Sequence, residues 1–266
     1  MPIADLGDIQ LHYRSFGEGP PVLGVMGFGL DQRYWAAQVP AVTEGNRFIT
    51  FDHRGTGRSS RIPATSMDEM AADAVKLLDH LEIDRAVIFG ASMGGAITQH
   101  LALNHPERVS GLILAITWAR PIEFMRRQHT LARKVIEQMG QEEFTRVALL
   151  WMFSPQFFEM GAYVIDQLMA SLQAPGAPPM MGAEELLGQL DAIEKHDVLA
   201  DLPRIDVPTL VVSGRMDVMV PALGGREIAG AIPNAEYVEF ETGHGLMIEE
   251  MEAFNKTIRG FLDRIT

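Results

Sequence analysis

Ala86-Val87-Ile88-Phe89-Gly90-Ala91-Ser92-Met93-Gly94-Gly95 is the stretch whose reading decides the fold of this chain. The first four residues are apolar and rich in β-branched or aromatic side chains, as a buried strand requires. A serine then stands between glycines two positions away on either side. Such spacing suits a sharp strand-to-helix turn in which any side chain at 90 or 94 would clash. The turn lifts the serine hydroxyl above the end of a sheet, beside a helix N-terminus. Free N–H groups and a partial positive charge there favour a developing oxyanion. The five-residue pattern alone recurs by chance, but here a helical stretch, residues 96–103, follows it and stops at Asn104-His105-Pro106.

Working outward, Ile9-Gln10-Leu11-His12-Tyr13, Val22-Leu23-Gly24-Val25 and Arg47-Phe48-Ile49-Thr50-Phe51 read as strands before this turn, and residues 67–81 as an amphipathic helix. Gly111-Leu112-Ile113-Leu114-Ala115-Ile116 reads as the next buried strand. From 119 to 199 only helical patterns occur, carrying seven of the sixteen methionines together with Trp151, Phe153, Phe157, Phe158 and Tyr163. Alternation resumes with strands at 209–212 and 236–240, a short helix at 223–231 and a closing amphipathic helix at 249–263. Strands separated by helices predict an α/β fold, a mostly parallel sheet with helices on both faces. Residues 1–118 and 200–266 are expected to form its core, with 119–199 inserted as a helical cap. An insertion this apolar packs a subdomain core, and part of it is expected to line an adaptable pocket over Ser92.

A serine hydroxyl needs a base, and the base needs an acid to fix its tautomer. Of eight histidines, His53, His80, His100, His105, His129 and His196 fall in helices or polar loops and read as structural or surface groups. His12 reads as exposed on an early strand. His244, in Gly243-His244-Gly245 just past a strand, is the candidate base. Asp217, past the strand Thr209-Leu210-Val211-Val212, is the candidate acid, with Glu123 and Asp197 as weaker rivals in or near the insertion. The net charge of −13 argues against nucleic-acid or anionic-membrane surfaces. The absence of cysteine excludes disulfides, thiol nucleophiles and thiolate metal sites, and fits a cytoplasmic protein. No signal peptide or membrane-spanning stretch is evident. No histidine pair has metal-ligand spacing and no phosphate-loop motif occurs, so neither metal nor cofactor is expected.

The chain resembles the α/β-hydrolase superfamily over nearly its whole length. The resemblance rests on Gly90-Ala91-Ser92-Met93-Gly94-Gly95, on Asp52-His53-Arg54-Gly55-Thr56-Gly57-Arg58-Ser59, on Asn104-His105-Pro106-Glu107-Arg108-Val109, and on Gly214-Arg215-Met216-Asp217 and Gly243-His244. It implies an eight-stranded type of sheet, and catalytic Ser92, Asp217 and His244 in that chain order. It is most similar to the branch with enol-lactonases, small carboxylesterases and anthracycline methylesterases. The resemblance also implies an oxyanion hole made by the backbone N–H groups of Met93 and Phe28. Met26 stands where the family often has histidine, so the hydrogen bonding of that loop must differ. Met26, Trp118, Trp151 and Met152 are the candidate pocket residues. The expected activity is serine-dependent hydrolysis of a small-molecule carboxylic ester or lactone with an uncharged, fairly hydrophobic body. Carbon–carbon hydrolysis of a ring-cleavage product would instead need an inward arginine from Arg120, Arg126 or Arg127. The same three catalytic residues also suit perhydrolysis, and the same fold suits a slow-turnover ligand receptor.

Overall fold

Side-chain alternation sorts the strands onto two faces of one sheet. The computed structural model describes residues 2–172 and 174–266, so Met1 of the N-terminal stretch and Gln173 of the insertion lie outside the description. The strands are β1 (Ile3–Asp5), β2 (Gln10–Phe16), β3 (Pro21–Val25), β4 (Arg47–Phe51), β5 (Ala86–Ala91), β6 (Val109–Ala115), β7 (Thr209–Gly214) and β8 (Ala235–Phe240). The helices are α1 (Val39–Val42), α2 (Met67–His80), α3 (Met93–Asn104), α4 (Glu123–Met152), α5 (Pro155–Leu172), α6 (Ala183–Lys195), α7 (Leu223–Ala231), α8 (Leu246–Glu249) and α9 (Met251–Ile265).

The spatial order is β1-β2-β4-β3-β5-β6-β7-β8. β1 and β2 run antiparallel to their neighbours, and β4, β3, β5, β6, β7 and β8 are mutually parallel. Ile88, Leu112, Leu114 and Val211 pack on the face covered by α2, α3 and α7, with Met70, Leu77, Leu101 and Ile228. Val87, Phe89, Ile113 and Leu210 pack on the other face against Trp35 and the α9 residues Phe254, Ile258 and Phe261. This is the α/β arrangement expected from the strand–helix alternation, and it gathers the loops after β3, β5, β7 and β8 at the carboxyl edge of the sheet.

Between β6 and β7 the chain leaves the sheet and forms α4, α5 and α6. Gly140 breaks α4 with φ 79° and ψ −177°, a conformation that suits glycine. Ala132, Ile136, Phe144, Leu186 and Leu190 bind α4 to α6 in a small apolar cluster of their own. The closing helix, read from the sequence as 249–263, starts two residues later: Glu250 is non-helical and separates α9 from the short α8, which the sequence reading does not include. β1 is too short to show alternation in sequence. His12, expected to be exposed, is buried. Its Nδ1 lies 3.0 Å from Asp52 Oδ2, and Asp52 also accepts the N–H groups of Gln32 and Arg58, each at 2.9 Å. The Asp52–Ser59 loop therefore owes its shape to a carboxylate that a strand pattern does not reveal. No helix among the described residues is long and apolar enough to cross a membrane.

Candidate active site

Ser92 sits between β5 and α3 with φ 55° and ψ −121°. A non-glycine residue in the left-handed region is strained and needs surroundings that hold it. Its N–H donates to Ala115 O at 2.9 Å, and Thr117 Oγ1 donates to Ser92 O at 2.8 Å. The neighbouring glycines allow the close packing: a Cβ on Gly94 would overlap the Val25 carbonyl, and one on Gly90 would come 2.5 Å from Gly94 O.

His244 Nε2 lies 2.9 Å from Ser92 Oγ, and His244 Nδ1 lies 2.6 Å from Asp217 Oδ2. Asp217 Oδ1 accepts the backbone N–H groups of Met219 and Val220, both at 2.8 Å. An ionised carboxylate only accepts, so Nδ1 carries the imidazole proton and Nε2 presents its lone pair to the serine. Asp217 and His244 are both buried. The His244 loop is tied to the end of α4. Gly245 N–H donates to Met152 O, and Glu249 accepts from Gly243 N–H, Ser154 N–H and Ser154 Oγ. Glu249 gave no signal in the sequence, because its partners come from a distant helix junction. Of the rival acids, Glu123 pairs with Arg127 on the surface and Asp197 is exposed.

The loop after β3 faces the same serine. A Cβ on Gly27 would lie 3.2 Å from Ser92 Cβ. His53, buried and held neutral by desolvation, donates from Nε2 to Met26 O at 3.0 Å. Gly29 N–H is taken by Gln189 Oε1 at 2.9 Å, and Gln189 Nε2 in turn donates to Thr56 Oγ1 at 3.0 Å. These contacts fix the loop from the Asp52–Ser59 segment and from α6, where Met26 supplies no imidazole. Among the described residues the N–H groups of Phe28 and Met93 have no acceptor. Neither His53 nor Gln189 was singled out in the sequence as holding this loop.

Two cavities meet at Ser92 and His244. The larger, about 100 Å³, has Met26, Phe28, Gln141, Met152 and Met247 in its wall. The smaller, about 60 Å³, has Phe28, Trp118, His129, Trp151 and Met219. The candidate pocket residues therefore divide: Met26 and Met152 face one lobe, Trp118 and Trp151 the other. Ile116, at φ 48° directly after β6, lines the larger lobe and was missed, since one strained β-branched residue leaves no pattern. Among the described residues neither wall contains arginine or lysine. Arg120 pairs with Glu227, Arg127 with Glu123, and Arg126 is exposed. Among the described residues no three His, Cys, Asp or Glu side chains gather as a metal site requires.

Comparison with known proteins agrees with this architecture. Residues 20–251 match the family described as the alpha/beta hydrolase fold. A relative from Azorhizobium caulinodans, named as a candidate carbamate hydrolase, RutD, is 33% identical over 269 aligned residues, covering 100% of this chain and 99% of its own. The enol-lactonase from Burkholderia xenovorans LB400 superposes with a TM-score of 0.90 at 30% identity, covering 98% of this chain and 100% of that one. A thermophilic esterase from Thermogutta terrifontis gives a TM-score of 0.85 at 29% identity, covering 97% of this chain and 94% of that one.

Proposed function

The chain belongs to the alpha/beta hydrolase fold family and is a hydrolase; from that premise we propose that it cleaves a small, uncharged carboxylic ester or lactone through an acyl-enzyme on Ser92. His244 Nε2 takes the hydroxyl proton as Ser92 Oγ attacks the carbonyl carbon. The proton then passes to the leaving alkoxide. Asp217 holds the imidazole and stabilises its cationic form. The free N–H groups of Phe28 and Met93 receive the oxyanion. Water, deprotonated by the same His244, releases the acid. Residues 119–199 act in this reading as a cap over the core formed by 1–118 and 200–266.

The observation that carries the reading is the Asp217–His244–Ser92 chain, its acid and base buried, with links of 2.6 and 2.9 Å, opening onto cavities without a cationic side chain. A substrate carboxylate, as in a ring-cleavage product, would find no counter-ion there. The two lobes together are comparable in volume to the ~150 Å³ apolar cavity that holds benzene, which favours short substrates. A carbamate is the second substrate class, supported by the full-length similarity to the relative from Azorhizobium caulinodans. Its carbonyl passes through the same tetrahedral chemistry.

The test is a panel of p-nitrophenyl esters of graded chain length, simple lactones and an alkyl carbamate, assayed with the wild type and with Ser92→Ala. Replacing the nucleophile is expected to lower kcat on the order of 10⁴–10⁶-fold. A serine-directed phosphonate should label Ser92 once per chain, read by peptide mass spectrometry. Retained turnover in Ser92→Ala, or labelling at Ser59 or Ser60, refutes the assignment.

A further inference from the structure

Two residues in the wall of the smaller lobe each bear a polar atom for which the hydrolytic steps have no use. Trp118 Nε1 and His129 Nδ1 are both shut off from solvent, and among the described residues neither has a hydrogen-bond partner. The residues that bear them form part of the wall shared with Ser92 and His244. Buried donors without acceptors are uncommon in folded proteins, and each one calls for a reason.

Trp118 is held firmly rather than left loose. Its carbonyl oxygen accepts from Gln99 Nε2 at 2.9 Å and from His196 Nε2 at 3.0 Å, and its ring meets the His196 ring edge-on at 5.9 Å. Trp118 is 3% exposed. His129 reaches the lobe from α4, opposite in sequence to the sheet residues. Burial, then the nearby Arg133, pushes its pKa down to about 4, so it stands in the wall as a neutral ring able to donate or accept. Most of the remaining wall is apolar, including Phe28, Met125, Ala132, Leu190 and Ile193. An apolar pocket with one or two fixed polar groups is the usual form of an orienting subsite.

We propose that the smaller lobe is a hydrogen-bonding subsite for an uncharged oxygen function of the substrate, with Trp118 Nε1–H as its donor and His129 Nδ1 as the second partner. The oxygen is a carbonyl, ether or hydroxyl a few atoms from the scissile carbonyl, and the hydrocarbon remainder occupies the larger lobe. An anionic group is disfavoured, because the lobe desolvates it without a cation in return. The inference rests on the reading of Ser92 as the attacked-carbonyl site, and it names the substrate class that site selects.

The experiment measures dissociation constants in the Ser92→Ala background, so its readout does not depend on turnover. Two matched pairs place the oxygen on either side of the ester: p-nitrophenyl levulinate against p-nitrophenyl isocaproate, and methoxyethyl butanoate against butyl butanoate. At least one oxygen-bearing member should bind more tightly than its hydrocarbon counterpart. Trp118→Phe, and separately His129→Phe, should erase roughly threefold to tenfold of that preference. The anionic p-nitrophenyl hemisuccinate should bind more weakly than the levulinate it matches in shape. If both variants shift the members of each pair by the same factor, their role is packing alone and the subsite is overturned. Absence of any preference in either pair, or hemisuccinate binding as tightly as levulinate, also overturns it. Phosphonate labelling of the wild type at Ser92 is scored separately. Its failure would refute the catalytic reading while the binding comparison still stands or falls by itself.

Discussion

Asp217→Asn tests the proposed mechanism through a hydrogen-bond pattern that leaves the new side chain little choice. Asp217 Oδ1 accepts two backbone N–H groups, from Met219 and Val220, at 2.8 Å each, and Oδ2 faces His244 Nδ1 at 2.6 Å. An asparagine has one oxygen and one NH2. The two backbone donors retain the oxygen, so the NH2 must point at His244. It donates to Nδ1, which moves the ring proton to Nε2, and Nε2 can then no longer take the proton of Ser92. Turning the amide over restores the tautomer but sets two backbone donors, one buried and one part-buried, against the NH2. Losing two neutral hydrogen bonds costs about 2–3 kcal/mol, so the competent orientation is populated roughly 30–150-fold less. Loss of the carboxylate charge beside the developing imidazolium acts on top of this. The combined fall in kcat is expected near 10⁴-fold, the scale known for this substitution in a serine triad. The assay is p-nitrophenyl ester turnover, with thermal midpoints to show an intact fold and imidazole nitrogen NMR to identify the tautomer. The surface substitutions Asp197→Asn and Glu123→Gln serve as controls and should change kcat by less than about twofold. Activity of Asp217→Asn within tenfold of wild type, with the fold intact, refutes the reasoning, as does either control outweighing it.

Phe28→Ala keeps the backbone donor but removes the ring that packs edge-on against Phe144 at 5.4 Å, so KM and chain-length preference should move more than kcat. Phe28→Pro deletes the donor and should cost about 10²–10³ in kcat. Equal losses in the two variants, with matched unfolding midpoints, would transfer the role to Gly27, since Gly29 N–H already has Gln189. Stability should fall as the medium is acidified from pH 6.5 towards 4. His129 and His196 are both pushed down to about 4, chiefly by burial, so in that window the unfolded chain binds protons that the folded chain refuses. The loss is on the order of 1.4 kcal/mol per pH unit for each histidine, and urea midpoints at pH 7 and 5 measure it. His129→Gln should flatten the slope, and an unchanged wild-type midpoint across that range contradicts the burial argument. Gly94→Ala should lower both the thermal midpoint and phosphonate labelling. Its Cβ meets the backbone of Val25 and Met26, which can move only by shifting the loop beside Ser92.

Much of the architecture is legible in sequence because it is local. The run 86–89, the paired glycines around Ser92 and the helix that follows each declare themselves within a few residues, and β4 and α7 appear at the bounds the patterns give. Capping shows the same locality: Ser66 accepts from Glu69 N–H at 3.1 Å, at the start of the helix whose apolar face repeats from Met67 to Leu78. Ser92, Asp217 and His244 could be nominated separately for a related reason. Each lies in the loop or turn just past a strand's carboxyl end, and a parallel sheet delivers all such ends to one edge. The short α8 before Glu250 escapes this kind of reading, since one turn of helix is too short to show a period.

The sequence by itself thus determined an α/β chain with a strained serine turn, the chain order of three candidate residues and an apolar helical insertion. Only the tertiary structure decided what surrounds them. His12 turned inward because Asp52, just past β4, offers it a carboxylate. Gln189 reached back to Gly29, and Glu249 to Ser154 and Gly243. Trp118 and His129 were brought into one wall although one follows a strand and the other lies on a helix. Periodicity records which face of an element is apolar, because burial repeats along the chain every two or 3.6 residues. It holds no record of which distant side chain completes a hydrogen bond, because that depends on the packing angle and register of elements far apart in sequence.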